Sequence, residues 1–407
     1  MRYRNIKLLV NRIMKCTKKQ FAYLCCLFLI GGLIIGPNIG SAQNISFDTD
    51  EGWNFNVTGQ LPVFLVASNH ENYSVDGEDQ FATRVMSGFN PGSINFNIVA
   101  PEMNGITVEG FFQINHHLHG PSVQNAGLFE GRVADIIISG DFGTINFGKG
   151  FGVFNGSSIA DAGSGMGVGR FGGPDAADAT LGRIGSGYTY ANFNPRIIYT
   201  TPSMGGFTLK TGLINPEKPG GASATVETMT PRVEAQANYL IDLNSGTLDL
   251  WLGGMYQSVN VVSADFDYAM SGWDVGARLD AAGFRLTGAY SGTNGVGADG
   301  LIGINLNGNG NGLAEAEIEA TQWYGEGMYT VDNFSVGVSY GEGSQDAVST
   351  AVSTDVGSSP EITNKLLMGF TRYKVTDNLT WIGELQNFES EGQANYKALV
   401  LGMQLNF

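Results

Sequence analysis

From residue 53 onward the chain alternates. Trp53, Phe55, Val57, Gly59, Leu61, Val63 and Leu65 hold every second position, with Asn54, Asn56, Thr58 and Gln60 between them. Phe207, Leu209, Thr211 and Leu213 repeat the pattern against Thr208, Lys210 and Gly212, and Phe284, Leu286, Gly288 and Tyr290 repeat it against Arg285, Thr287 and Ser291. Two residues is the side-chain period of a strand, so each segment reads as a strand with one apolar and one polar face. No apolar run of about 18 residues or more follows residue 42, which leaves no segment for a membrane-crossing helix.

The connections alternate in length. Short ones, built from Gly, Pro, Asn and Asp, are Pro101–Gly105, Gly140–Gly143, Pro202–Gly206, Asp242–Gly246, Ala281–Gly283, Val331–Asn333 and Val375–Asn378. Between them lie longer polar stretches, the longest at 150–195. The pattern predicts an all-β fold: sixteen antiparallel strands with short turns at one end and long loops at the other, closed into a transmembrane β-barrel because lipid offers no hydrogen bonds to an open edge. The second strand is expected at 93–100, with an earlier start near Phe81 open, and the ninth and tenth at 247–257 and 272–280.

The first 42 residues read differently. Seven Lys/Arg and no acid in residues 1–20, an apolar run from Phe21 to Ile35, and small residues at Gly40 and Ala42 make a secretory signal cut before Gln43. Met14 begins a more ordinary signal than Met1. All three cysteines (Cys16, Cys25, Cys26) fall in this segment, so residues 43–407 have no thiol for disulfides, zinc or nucleophilic catalysis. Losing the signal removes seven of 22 basic residues and none of 38 acids, and the net charge moves from −16 to −23. Nucleic acid is excluded as a partner, since a phosphate-binding surface needs a basic excess.

Several short motifs occur in family order along the barrel region. Gly402-Met403-Gln404-Leu405-Asn406-Phe407 ends the last apolar stripe on a terminal phenylalanine. Ser139-Gly140-Asp141-Phe142-Gly143-Thr144 continues into Ile145-Asn146-Phe147-Gly148-Lys149. Pro202-Ser203-Met204-Gly205-Gly206-Phe207-Thr208-Leu209 and Gly110-Phe111-Phe112-Gln113-Ile114-Asn115 complete the set. With these the chain resembles the Gram-negative general porins, whose hairpin SGDFGTVTLGR leads into the pore-constricting third outer loop.

The resemblance implies an outer-membrane homotrimer of sixteen-stranded barrels and a passive diffusion channel for small hydrophilic solutes and ions. It makes Phe407 the outer-membrane assembly signal and 150–195 an inward-folded third loop whose acids face basic residues on the wall. The loop offers Asp161, Asp175 and Asp178, although it also carries Arg170 and Arg183. Parity puts Arg196, Lys210, Arg232, Arg278 and Arg285 on the polar faces of their strands. Arg132 resembles the family's wall arginine, its parity left open by the apolar run Ile136, Ile137 and Ile138. Ile198 stands where the family often has an arginine, with Arg196 in its place.

Other readings carry less. His116, His117 and His119 could hold Zn²⁺ or Cu²⁺, but no carboxylate lies within three residues, and no metal or cofactor is expected. Gly163–Gly169 lacks the Lys-Ser/Thr of a phosphate-cradling loop. No Gly-x-Ser-x-Gly anchors a catalytic triad, so no enzyme is expected. Outer-loop acids, among them Glu71, Asp76, Asp265, Asp299, Glu315, Glu317 and Asp355, suit divalent-cation bridges to lipopolysaccharide phosphates. The alternatives are a surface-exposed barrel acting as an adhesin or structural anchor, and a porin with a preferred solute.

Overall fold

The computed structural model describes residues 45–74, 76–118, 129–174, 178–216, 226–228, 230–261, 266–297, 300, 318–347 and 361–407. The expected signal segment 1–42, Asp175, His119, and the outer-loop acids Asp265, Asp299, Glu315, Glu317 and Asp355 lie outside the described residues.

The first strands in chain order are β1 (Ile45–Asp48), β2 (Asn54–His70), β3 (Gln80–Met86), β4 (Gly92–Val99), β5 (Thr107–His116), β6 (Phe129–Gly140), β7 (Gly143–Phe151), β8 (Phe193–Thr200) and β9 (Phe207–Ile214). They are followed by β10 (Val226–Glu227), β11 (Arg232–Asp242), β12 (Gly246–Val261), β13 (Phe266–Ala281), β14 (Phe284–Asn294) and β15 (Glu319–Val331). The last are β16 (Phe334–Gln345), β17 (Ile362–Lys374), β18 (Leu379–Ser390) and β19 (Tyr396–Asn406).

All belong to one antiparallel sheet that closes where β19 pairs with β2, from Tyr396 opposite His70 to Asn406 opposite Gln60. β3 and β4 both pair with β2 and make one stave, β10 and β11 both pair with β12 and make another, and β1 pairs with β2 in line with the end of β19. Sixteen staves result. The seven short connections fall where the Gly, Pro, Asn and Asp clusters place them, and Asn104, Asn244, Ala282 and Asp332 adopt positive φ there. Strands β12 and β13 run longer than the apolar stripe predicts. At the outer end of β12, polar Ser258 and Asn260 take the outward positions while Val259 between them is buried, so the apolar outer stripe stops before the ladder does.

The outward face is the apolar stripe: Leu61, Val63 and Leu65 of β2, Leu250 and Leu252 of β12, and Leu286 of β14 all stand exposed on the barrel exterior. Exposed aromatics gather toward the two ends of the staves. Phe142, Tyr199, Phe207, Tyr239, Phe284, Tyr329 and Trp381 lie near the short turns, and Tyr256, Trp273, Tyr290 and Trp323 lie toward the long loops. Such paired girdles mark the two lipid–water interfaces.

The inner face is partly apolar too. Phe64 and Val66 (β2), Met86 (β3), Leu366 (β17), Phe388 (β18) and Val400 (β19) form a buried cluster with Val168 and Phe171, which belong to the connection between β7 and β8. Fully burying a side chain of this size contributes about 1.5–3 kcal/mol. The β7–β8 connection therefore packs against the far wall of its own barrel.

Candidate functional site

A segment that leaves its strands and lies against a wall must find acceptors for its backbone N–H groups. Between residues 152 and 192 the wall supplies them as carboxylates. Glu234 on β11 accepts from the amides of Val153 and Phe154, the latter at 2.9 Å. Asp274 on β13 accepts from the Asn155 amide at 3.3 Å and the Ser158 hydroxyl at 3.1 Å. Glu326 on β15 takes the amides of Ala162 (2.5 Å) and Gly163 (2.9 Å), and Glu384 on β18 takes those of Val168 (2.8 Å) and Gly169 (3.2 Å). As the segment advances from 153 to 169 its anchors advance from β11 to β18. It then meets β19, where the Phe171 amide donates to the Tyr396 hydroxyl at 3.1 Å. The segment follows the inner circumference of the barrel.

Glycine makes this approach possible. A Cβ on Gly167 would stand 1.5 Å from the Glu384 carboxylate oxygen, and Gly169 has φ +60°. The run Gly163–Gly169 does cradle anions, but they are the wall's own carboxylates.

Asp161 caps a short helix, α1 (Ala162–Gly165), accepting from the Ser164 amide (2.8 Å) and hydroxyl (2.6 Å) and from the Tyr188 hydroxyl (2.9 Å). Burial first, and the Asp161 charge second, hold the Tyr188 proton well above the ordinary phenol range, so Tyr188 stays a donor. Asp178 accepts from the Ser87 amide (2.9 Å) and hydroxyl and from the Leu118 amide (2.7 Å). Both acids are buried within the loop's attachments. Arg170 and Arg183 are buried as well. Arg170 donates to the Ile184 carbonyl at 2.8 Å and lies over the Phe388 ring at 5.2 Å, and Arg183 donates to the Leu366 carbonyl at 3.3 Å. The charges are thus disposed otherwise than in the arrangement the resemblance implies. Wall acids face loop amides, while within the loop Asp161 bonds to Ser164 and Tyr188, Asp178 bonds to Ser87 and Leu118 outside it, and Arg183 reaches the Leu366 carbonyl of the wall.

The six wall bases all lie on the inner face, each opposite in parity to exposed apolar neighbours. Arg196 forms a forked pair with Asp135, at 3.0 and 3.1 Å. Arg232 is fully buried, 2.7 Å from Glu234 and 3.1 Å from the Ala191 carbonyl. Arg278 pairs with Asp249 (3.0 Å), and Arg285 with Asp280 (2.6 Å), near the short turns. Lys210 is exposed to the interior. Arg132 faces inward because the ladder slips one register between Gln113 and Ile114, so that both Arg132 and Asp135 turn to the lumen. Phe407 exchanges backbone hydrogen bonds with Gly59, at 2.7 and 3.0 Å, next to the closure seam.

His116 packs against Phe129 on one face while His117 turns the other way, between Glu130 (3.3 Å) and Asp178 (3.6 Å), so the two imidazoles share no ligand sphere. Hydrogen bonds to Asp178 and then Glu130 raise the His117 pKa above 6.5 despite burial. Burial pushes Asp178 up, but its bonds to His117, Ser87 and Leu118 outweigh it and hold the carboxyl below its ordinary value. A raised native histidine pKa stabilises fully below about 6.5. That contribution is lost as pH rises through the native value. Titration of the histidine ring signals by NMR is expected to show His117 midpoint above 6.5; a midpoint at or below it contradicts the assignment.

Between the segment, β6 and the β3–β4 break lies a cavity of about 230 Å³. Phe151, Tyr190 and Phe193 pack at 5.2–6.3 Å between ring centroids along one side, Phe89 and Leu181 line another, and Arg132 reaches in over Phe193 at 5.4 Å.

A closed sheet with a lipid-facing exterior, two aromatic girdles and charged side chains inside defines a transmembrane β-barrel channel. The sequence matches the family model described as Gram-negative porin over residues 36–393, and the chain belongs to that family. It is a passive diffusion channel of the outer membrane, and membership points to a channel rather than an enzyme. Among solved structures, the outer membrane channel DcaP of Acinetobacter baumannii is similar at 14% identity, with TM-score 0.64 and coverage of 89% of this chain and 99% of that one. An anion-selective porin from Comamonas acidovorans matches at 14% identity, TM-score 0.60, and 87% and 100% coverage. OmpT of Vibrio cholerae in its trimer form matches at 12% identity, TM-score 0.53, and 87% and 99% coverage. A comparison with curated proteins finds no match.

Proposed function

We propose that the segment 150–195 narrows the lumen and filters small hydrophilic solutes and ions by size, with no bond chemistry on the solute. One observation carries this reading. The segment is fastened around the inner wall by Glu234, Asp274, Glu326 and Glu384, and it occupies the side of the lumen bounded by β17 to β2. A loop with two amides on each of three acids, and an amide and a hydroxyl on the fourth, is held at a fixed height. Arg132, Arg196, Lys210, Arg232, Arg278 and Arg285, with Asp161, Asp175 and Asp178, remain the charged set assigned to the pore, Arg232, Asp161 and Asp178 acting through the loop's position. In liposome swelling, entry rates are expected to fall steeply from a monosaccharide to a trisaccharide. Equal rates for both would contradict a narrowing.

Residues 1–42 are assigned as a signal removed before Gln43, which N-terminal sequencing of the mature protein reads directly. A homotrimer is supported by an apolar strip on the outer face, where Phe47 stacks on Phe55 at 5.1 Å and Phe96 pairs across strands with Phe112, bordering a groove of about 590 Å³. A cross-linked ladder ending at two chains would contradict three. Acids such as Glu71 and Asp76 support divalent-cation bridging to lipopolysaccharide, which a chelator should then release.

A further inference from the structure

We propose that the cavity beside Arg132 is a binding subsite for small aromatic carboxylates, benzoate-like anions of one ring. The inference rests on the channel reading above and names a solute class for it.

The chemistry of the lining is unusual for a water-filled path. Three rings, Phe151, Tyr190 and Phe193, present faces and edges to one side, and Phe89 and Leu181 close another. Rings prefer offset or edge-to-face contact with another ring, a preference that aliphatic solutes cannot use. The one cation is Arg132, 9% exposed, placed inward by the register slip on β6. Glu130 engages it through Nε at 3.2 Å. Its terminal nitrogens have no acceptor among the described residues, and they form the planar fork that matches a carboxylate.

Of the neighbouring carboxylates, Glu130 takes only the Nε edge of the guanidinium and leaves the fork, and the two loop acids are spent elsewhere. Asp178 is taken by Ser87 and Leu118, and Asp161 by Ser164 and Tyr188. A volume of about 230 Å³ suits the ligand, since an apolar cavity of roughly 150 Å³ admits benzene and the remainder accommodates a carboxylate. A ring against the phenylalanines with its carboxylate on the Arg132 fork satisfies both halves of the lining at once. Acetate satisfies only the fork, and benzylamine only the rings.

The test uses the full mature protein in planar bilayers. Benzoate, acetate and benzylamine are added to open channels at constant ionic strength. Benzoate is expected to interrupt the current saturably, with half-block at least tenfold below that of acetate or benzylamine. Arg132→Gln should bring benzoate to within about twofold of uncharged benzyl alcohol. Gly165→Leu should abolish the block by filling the cavity, because a Cβ at Gly165 meets nothing within 4 Å. Open channels that benzoate blocks no better than acetate, or a block that survives both substitutions, overturn the subsite and leave the channel reading intact. Wild-type protein that gives no open channels overturns the channel reading and the subsite with it.

Discussion

Replacing Glu384 with alanine is expected to raise the single-channel conductance and make it flicker, with little change in the stability of the barrel. The carboxylate is 2% exposed and accepts from the amides of Val168 and Gly169. Without it, two buried donors lose their partner. Each orphaned donor costs about 1–3 kcal/mol, which together rivals the apolar burial of Val168 on the same stretch. Removing the buried charge recovers part of that cost through desolvation, so the penalty falls on the loop's placement rather than on global folding. The ladder from β17 through β18 to β19 is made by backbone groups that the substitution does not touch. Glu384→Gln keeps one acceptor oxygen and should lie between the two. Alanine-variant steps of unchanged size and noise would show that Glu384 does not hold the loop.

Leu252→Arg is expected to impair insertion strongly. Leu252 is 59% exposed on the outer face of β12, opposite Val275 and in the same stripe as Leu250. An arginine on the lipid face near midplane costs about 2–4 kcal/mol. The native Arg278 lies on the neighbouring strand, opposite Asp249, and faces inward without that cost. Urea-driven unfolding from lipid vesicles should show the loss, or the variant should fail to fold into them. A midpoint equal to wild type would mean that the stripe does not face lipid.

The turns and the outer stripe were legible because both are local. Gly, Pro, Asn and Asp mark the seven short connections, and Trp273, Val275 and Leu286 betray their face by period two. The same parity rule, applied to acids, would have found Asp274 between Trp273 and Val275, and Glu384 three residues after Trp381. Parity marks such acids as inward-facing, but nothing local to β13 or β18 marks the loop amides they accept from. Arg132 could not be placed from its own strand, since the slip that turns it inward belongs to the pairing with Gln113 and Ile114. The inner apolar faces of β2, β17 and β19 were illegible for a similar reason. Phe64, Leu366 and Val400 are apolar because a loop more than 100 residues from β2's partner β19 packs on them. The break between β3 and β4 serves that loop too, with Ser87 bonded to Asp178 and Phe89 donating to the Gly167 carbonyl at 2.9 Å. Asp161 is the instructive case among the loop acids. Its carboxylate caps α1 and holds Tyr188, a structural duty that a count of acids in a loop does not reveal.

If the barrel carries a continuous water-filled path past the fastened loop, the purified protein in planar bilayers must conduct in steps. Discrete, reproducible current steps in symmetrical salt are the predicted result. Silence at a protein input that saturates the membrane would contradict it and favour a barrel with an occluded lumen.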